Sequence, residues 1–400
     1  MKKKILIVDD SALMRRVMCD IINSDERFEV ADMALDGAEG FKMICAHNYD
    51  AVVLDVYMPR MTGLEMLKEL QKSNVHANVM MASTTTSDGA KETLDALEYG
   101  AIDFIKKPEN VADARHDEFR KRFLDILDVV ANSRGIIRHH VAPRRTDGKA
   151  PTFSARYDVN FHTRGESDMD RLREKQASQS TTTSRSTGGY THREVVSNVT
   201  LKPYKPVTGN KIVAIASSTG GPKALQDVIP RLPKNLNAPV LLVQHMPKGF
   251  TASLAERLDE TSPIKVSEAC EGEIIEKGHV YIAPGGKHMK LVKKGGGYAI
   301  TLTDEPSREG VKPCANYMYE SLMDSGYDEV VCAVLTGMGA DGTAGIKALN
   351  DKKKLFVVAQ DEETSTVYGM PKAIASTGLC NSVVPLQSVA DQIIKNVGVR

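Results

Sequence analysis

Along the first third of the chain, short apolar runs alternate with amphipathic stretches. The runs are ILIV (5–8), EVADMA (29–34), AVVLDV (51–56), NVMMAS (78–83) and AIDFIK (101–106). Between them, ALMRRVMCDII (12–22) and GLEMLKELQ (63–71) repeat apolar residues at helical spacing, giving helices with one buried face. Strands and helices in this alternation predict a parallel sheet covered on both sides. From Lys211 the alternation resumes with KIVAIAS, APVLLVQH (238–245), EVVCAVLTG (329–337) and KLFVVAQD (354–361). Within it, residues 278–304 alternate with period two across Gly-rich turns, which predicts an antiparallel hairpin attached to the second sheet. The expected fold class is α/β, with two doubly wound parallel-sheet domains.

Residues 131–208 break the pattern. Stretches such as KQASQSTTTSRSTGGYTHREVVS are rich in Ser, Thr, Arg and Gly, poor in apolar residues, and hold no period. Such a segment cannot bury enough apolar surface to offset the entropy of ordering it, so a flexible polar linker is expected there. The domains are therefore expected at 1–130 and 209–400. With 52 basic and 52 acidic residues the formal net charge is zero. Neither that balance nor any helix-turn-helix pattern suits nucleic-acid binding. No apolar run approaches the roughly 18 residues of a membrane span, and MKKKILIVDD is too short and too acidic for a signal peptide. Six scattered cysteines without a CxxC read as reduced packing residues. A soluble cytoplasmic protein without membrane insertion is expected.

The chemistry sits at strand ends. In an open parallel sheet, ligands bind beyond the carboxyl ends of the strands. In the first domain those ends carry Asp9-Asp10, Asp55, Ser83 and Lys107. If the first and third strands are neighbours, three carboxylates converge; their mutual repulsion calls for a cation, and oxygen donors favour Mg2+. Carboxylates, Mg2+ and a lysine around one Asp make a site for phosphoryl transfer to that Asp. Each Asp alone could equally be a helix cap or turn residue. As a set, within ILIVDDSALMRR, VVLDVYMPRMTGLEML, VMMAST and GAIDFIKKP, they resemble a response-regulator receiver domain of the flavodoxin-like kind. The resemblance implies that Asp55 is the phosphoacceptor, and that Asp9, Asp10 and Asp55 serve Mg2+ with the backbone carbonyl of Tyr57. It also implies that Ser83 and Lys107 contact the phosphoryl group, and that Phe104 is the aromatic that changes position on activation.

In the second domain four strand ends are polar: Ser217-Ser218, Gln244-His245, the TGMGADG loop with Asp341, and Gln360-Asp361. Serine, histidine and aspartate on separate strand ends are the elements of a hydrolytic triad. The Gly-Gly-Pro after Ser218 predicts a helix N-terminus facing that serine, and the Gly337-Met338-Gly339 backbone offers further oxyanion donors. Taken singly, STGG reads as a turn or a phosphate loop, and Asp341-Gly342 as a turn or a helix cap. There is no GxSxG, and the STGG spacing suits neither a Walker loop nor the GxGxxG fingerprint. The stretches IASSTGGPKAL, VQHMPKGFTASLAERL, VYIAPGGKHM, VLTGMGADGTAGI and AQDEETSTVYGMPKAI together resemble the catalytic domain of the chemotaxis methylesterase family, CheB.

That resemblance implies a Rossmann-like hydrolytic domain with Ser218 as nucleophile, His245 as general base, Asp341 as its orienting carboxylate and Met338 as backbone oxyanion donor. The implied activity is demethylation of glutamyl methyl esters on chemoreceptors with release of methanol, and deamidation of receptor glutamines, switched on by a chemotaxis histidine kinase. The esterase chemistry needs no cofactor. Two features depart from the family. Ser217 stands where a small residue without a hydroxyl is usual, leaving a second candidate nucleophile, and the linker is longer than usual. A phosphorylation-gated adaptor with an inactive second domain is the alternative, and loss of Ser218, His245 or Asp341 would favour it.

Overall fold

The computed structural model describes residues 1–83, 87–108, 113, 116–133 and 200–400; most of the expected linker, 134–199, lies outside the described residues. The N-terminal part runs β1 (Lys3–Val8), α1 (Ala12–Asn23), β2 (Phe28–Ala34), α2 (Gly37–Ala46), β3 (Ala51–Asp55), α3 (Gly63–Lys72), β4 (Val79–Ser83), α4 (Ser87–Glu98), β5 (Asp103–Lys106) and α5 (Asp117–Asn132). Its strands form one parallel sheet in the order β2-β1-β3-β4-β5. Alternate residues of β1 feed the two cores. Leu6 and Val8 join Leu54, Met66 and Met81 on one side, while Ile5 and Ile7 join Val53, Met80, Phe123 and Leu127 on the other. An apolar run without alternation is what a strand buried on both faces requires.

Helix starts here follow local chemistry. Ser11 caps α1 by accepting from Met14 N at 3.3 Å, so the neighbouring Asp10 is not used as the cap. Thr62 and Glu65 form a capping box on α3.

In the C-terminal part, residues 200–208 precede the first strand without regular structure but pack against the far strands of the sheet and the segment before its last strand. Lys202 N donates to Cys380 O at 2.7 Å, the Tyr204 hydroxyl donates to Glu329 at 3.2 Å, and the Tyr204 ring meets Phe356 edge-on. The strands β6 (Lys211–Ser217), β7 (Val240–Gln244), β8 (Lys265–Glu268), β9 (His279–Ile282), β12 (Glu329–Val334), β13 (Lys354–Gln360) and β14 (Ser382–Val384) form a seven-stranded sheet in the order β14-β13-β12-β6-β7-β9-β8. All of its pairings are parallel. The helices are α6 (Gly221–Val228), α7 (Phe250–Thr261), α8 (Ala315–Ser321), α9 (Thr343–Asn350), α10 (Met370–Ala375) and α11 (Leu386–Val397). The order turns back at β6, which lies between β7 and β12. The carboxyl ends of these three strands are therefore side by side, at the switch point where such sheets place their ligands.

The hairpin expected over 278–304 is narrower than the pattern suggested. β9 belongs to the main sheet, parallel to β7 and β8, and all four of its residues are buried. Only β10 (His288–Lys294) and β11 (Gly297–Thr303) pair antiparallel, as a separate two-stranded ribbon. The turn at 283–287 separates the two destinations. The short strands β8 and β14 were not expected, because neither KVSE nor SVV carries an apolar run.

Candidate active site and phosphorylation pocket

Ser218 stands just beyond β6, where the chain turns into α6. Its N–H donates to Thr336 O at 3.0 Å, and its carbonyl accepts from Gly221 N at 2.7 Å. Gly220 takes φ 75° in this turn, a left-handed conformation that costs glycine little. The loop after β12 closes on the serine from the other side. A Cβ on Gly337 would lie 2.8 Å from that of Ser218, so only glycine lets Gly337 and Met338 come this near. The Met338 side chain points outward, 38% exposed.

His245 follows β7, and its N–H donates to Ser217 O at 3.1 Å. Its Nε2 lies 2.7 Å from Asp341 Oδ2, with both side chains almost fully buried. In the tautomer that donates Nε2–H to this carboxylate, Nδ1 carries the lone pair. Among the described residues no hydrogen bond joins the Ser218 hydroxyl to this ring; such bonds are commonly long in resting enzymes and tighten with substrate bound.

Asp341 is more than a turn residue, and it is not the cap of α9, whose N-cap is Gly342. Its carboxylate accepts from Ala315 N at 2.6 Å, Asn316 N at 3.0 Å, Gly342 N at 2.8 Å and the Cys314 thiol at 3.0 Å, besides His245. Burial by itself would push this carboxyl up, but the hydrogen bonds from His245, Cys314 and Ala315 hold it down at about 2. Its own burial, and then the contact with Asp341, push the Cys314 thiol up to about 12, so Cys314 serves as a donor and not as a thiolate. Asn316 secures the same corner: its Oδ1 accepts from Gly342 N and Gly345 N, and its Nδ2 donates to Glu309. These anchors lie about 25 residues before Asp341, and sequence reasoning passed over them. Their only signal was a polar pair inside VKPCANYMYESL. Ser217, the second candidate nucleophile, is fully buried, and its hydroxyl donates to Gln244 Oε1 at 2.7 Å.

At the other sheet, the pairing of β1 with β3 brings Asp9, Asp10 and Asp55 together, with carboxylate oxygens all within 4.8 Å. Asp9 and Asp55 are buried, whereas Asp10 is exposed. The Lys107 ammonium lies 2.6 Å from both Asp9 and Asp55. Burial raises the Asp55 carboxyl to about 6; Lys107 opposes the rise and Asp9 adds to it. The Ser83 hydroxyl, at the end of β4, is buried, donating to Gly89 O at 3.2 Å and accepting from Thr93 at 2.8 Å. Tyr57, two residues after Asp55, is 39% exposed.

The edge strand β5 and helix α4 of the first sheet meet the loop after β6 and helix α7 of the second. The Phe104 ring of β5 stacks on Phe250 of α7 with centroids 4.7 Å apart. Beside it, the buried Asp103 carboxylate accepts a hydrogen bond from the side chain of Thr219, the residue after Ser218. Arg257 of α7 pairs with Asp95 and with Glu98 of α4, and Lys91 lies 3.3 Å from Glu256. A cleft of about 380 Å³ between them is lined by Lys107, Phe119 and Arg122 on one side and by Pro247 on the other.

Comparisons with known proteins identify the family. Residues 213–393 match the family model described as CheB methylesterase, and residues 5–116 match the response regulator receiver domain. The "Protein-glutamate methylesterase/protein-glutamine glutaminase" of Pyrococcus abyssi is 38% identical over 397 residues, covering 99% of this chain and 94% of that protein. The Bacillus subtilis protein of the same name is 37% identical over 392 residues, covering 98% and 97%. Among solved structures, the Thermotoga maritima CheB methylesterase catalytic domain is 41% identical, with a TM-score of 0.45 over 47% of this chain and 99% of that one. Near-full-length relatedness at this level, on top of a receiver sheet followed by a Ser/His/Asp strand-end cluster, places the chain in the CheB family of protein-glutamate methylesterases/protein-glutamine glutaminases.

Proposed function

We propose that this chain hydrolyses glutamyl methyl esters of chemoreceptors through Ser218, His245 and Asp341, deamidates receptor glutamines at the same site, and is switched on by phosphorylation of Asp55. The observation that carries the reading is the buried His245–Asp341 pair, 2.7 Å apart and beside the Ser218 turn. The Ser218 Oγ attacks the ester carbonyl while His245 Nδ1 takes its proton, and charge gathers on the carbonyl oxygen. The backbone N–H of Met338 is suited to hold that charge, whereas that of Gly337 is committed to Val367 O at 3.0 Å. His245 returns the proton to the departing methoxide, which leaves as methanol. Water, deprotonated by the same nitrogen, then cleaves the acyl-enzyme to glutamate and free Ser218. With an amide substrate the leaving group is ammonia. Asp341, already ionised and held by four further donors, keeps the ring oriented and stabilises its charged form.

For regulation, Asp55 receives the phosphoryl group from a chemotaxis histidine kinase. The donor set fits a hard dication: three carboxylates in one pocket, two of them buried. Asp9, Asp10 and Asp55, with the Tyr57 carbonyl, would hold Mg2+, which when bound supplies charge neutralisation for the transferring phosphoryl group. Lys107 pairs with the resulting anion, and the Ser83 hydroxyl turns from Gly89 to meet it. In the resting chain, the Phe104 stack and the Asp103–Thr219 bond hold the receiver against the residue next to the nucleophile. Phosphorylation loosens that hold. The test is methanol release from methylated receptor membranes, with and without Mg2+ and a small phosphodonor. Release that the phosphodonor accelerates supports the reading. Absence of release under either condition sinks it and leaves the adaptor.

A further inference from the structure

Gln244 ends β7 immediately before His245, is 1% exposed, and takes no part in the chemistry above. Its amide sits between both catalytic strand ends. Nε2 donates to Ser218 O at 2.9 Å and to His245 O at 3.3 Å, while Oε1 accepts from the Ser217 hydroxyl at 2.7 Å. The contacts determine which way the amide faces. Two carbonyl oxygens need the NH2 group, and turning the amide over would set its oxygen against both of them.

Ladder hydrogen bonds between β6 and β7 end at Ser217 and Gln244. Beyond that point, the separation of Ser218 from His245 rests on His245 N to Ser217 O and on this side chain. The Ser218 carbonyl is thereby held by two donors, Gln244 Nε2 and Gly221 N, which use both of its lone pairs. A Cβ on Gly221 would lie 1.9 Å from Gln244 Oε1, so the Gly-Gly turn leaves the space the amide occupies.

We infer that Gln244 is a positioning residue: it fixes the backbone of the nucleophile and of the base relative to each other, and the Ser217 hydroxyl keys its amide in the working orientation. Ser217, otherwise a surplus serine beside the nucleophile, thus acquires a role that needs no reactivity. The inference rests on the reading of Ser218 as nucleophile.

The test uses the full chain and a fluorophosphonate ester, a probe that needs no receptor. The serine Oγ forms a bond to phosphorus, fluoride leaves, and the serine proton passes to the base. Peptide mapping of the labelled wild type comes first. Label at Ser218 is expected, and label elsewhere overturns the nucleophile reading itself, and the positioning claim with it. Gln244→Met keeps the shape and removes the donors; labelling should slow by about tenfold or more, the scale of one lost orienting hydrogen bond near the reacting atoms. Methanol release should lose kcat by a similar factor with KM little changed.

Since Gln244→Met also strands the Ser217 hydroxyl, the double variant Ser217→Ala/Gln244→Met separates stability from positioning. Removing both partners should restore much of the melting temperature without restoring the labelling rate. Ser217→Ala alone should keep at least about a third of the rate, since the amide still has its two carbonyls. If Gln244→Met labels Ser218 at the wild-type rate, or if the double variant regains the rate along with the melting temperature, Gln244 is a packing residue and the inference fails.

Discussion

Ser218 and Ser217 are adjacent, yet the fold gives them opposite environments. One stands at a turn facing the Gly337 loop, and the other is sealed in the sheet with its hydroxyl committed to Gln244. Ser218→Ala should therefore lower methanol release by several orders of magnitude, as loss of a triad nucleophile does, while Ser217→Ala keeps at least about a third of it. A dead Ser217→Ala enzyme would move the assignment by one residue. Asp341→Asn should cripple turnover and still fold. Because its folded pKa, about 2, lies below the ordinary 3.8, the stability that Asp341 contributes is in place above 3.8 and is lost as pH falls through about 2. Thermal melts of wild type and Asp341→Asn should thus differ at neutral pH and converge in strong acid. At this scale the sequence shows which polar residues end strands, since strand ends follow from the apolar runs. It does not show who holds them. Cys314, Asn316 and Gln244 act through contacts that exist only once distant segments meet.

At the scale of elements, the central strands could be read because burial on both faces leaves an uninterrupted apolar run. Edge strands and the ribbon could not be separated from β9 by period, since HVYI is buried throughout and shows no alternation. That burial has a titratable consequence. His279, the first residue of β9, lies 2.8 Å from the Ser267 hydroxyl and packs on Tyr281. Burial, aided by nearby Lys265 and opposed by Asp259, pushes its pKa down from 6.5 to about 4. A histidine that must stay neutral stabilises the fold fully above 6.5, and that stabilisation drains away as pH falls towards 4. Urea midpoints measured across this interval should fall for the wild type and stay flatter for His279→Gln. Equal slopes would mean that the ring is hydrated in solution.

For the whole molecule, the question is what holds the receiver down. The Arg257 pairs with Asp95 and Glu98 are partly exposed, and pairs of that kind contribute at most about 1 kcal/mol. The buried Phe104–Phe250 stack combines area with ring geometry, and truncating it should cost more, roughly 2 kcal/mol or about thirtyfold in the docked-to-undocked ratio. Phe104→Ala should accordingly raise the unphosphorylated rate well above that of Arg257→Ala. Deleting residues 1–199 should raise it too, provided that Tyr204 and its bond to Glu329 are kept. Asp55→Asn should stay at the basal rate when Mg2+ and a phosphodonor are added. An isolated catalytic part no faster than the resting chain would show that the receiver recruits and does not occlude.

The strand β5 carries both ends of this regulation. Lys107, just past its last residue, grips Asp55, and Phe104, three residues earlier, makes the stack. Three residues of strand span roughly 10 Å, less than the width of a helix with its side chains. On the proposed reading the message and its recipient are near neighbours, joined along one short buried strand. On the same reading, substitutions along α1 and α2, which pack at the β2–β1 end of the sheet, should change how fast Asp55 is phosphorylated without altering the stack. Input and response are separately adjustable in one small sheet.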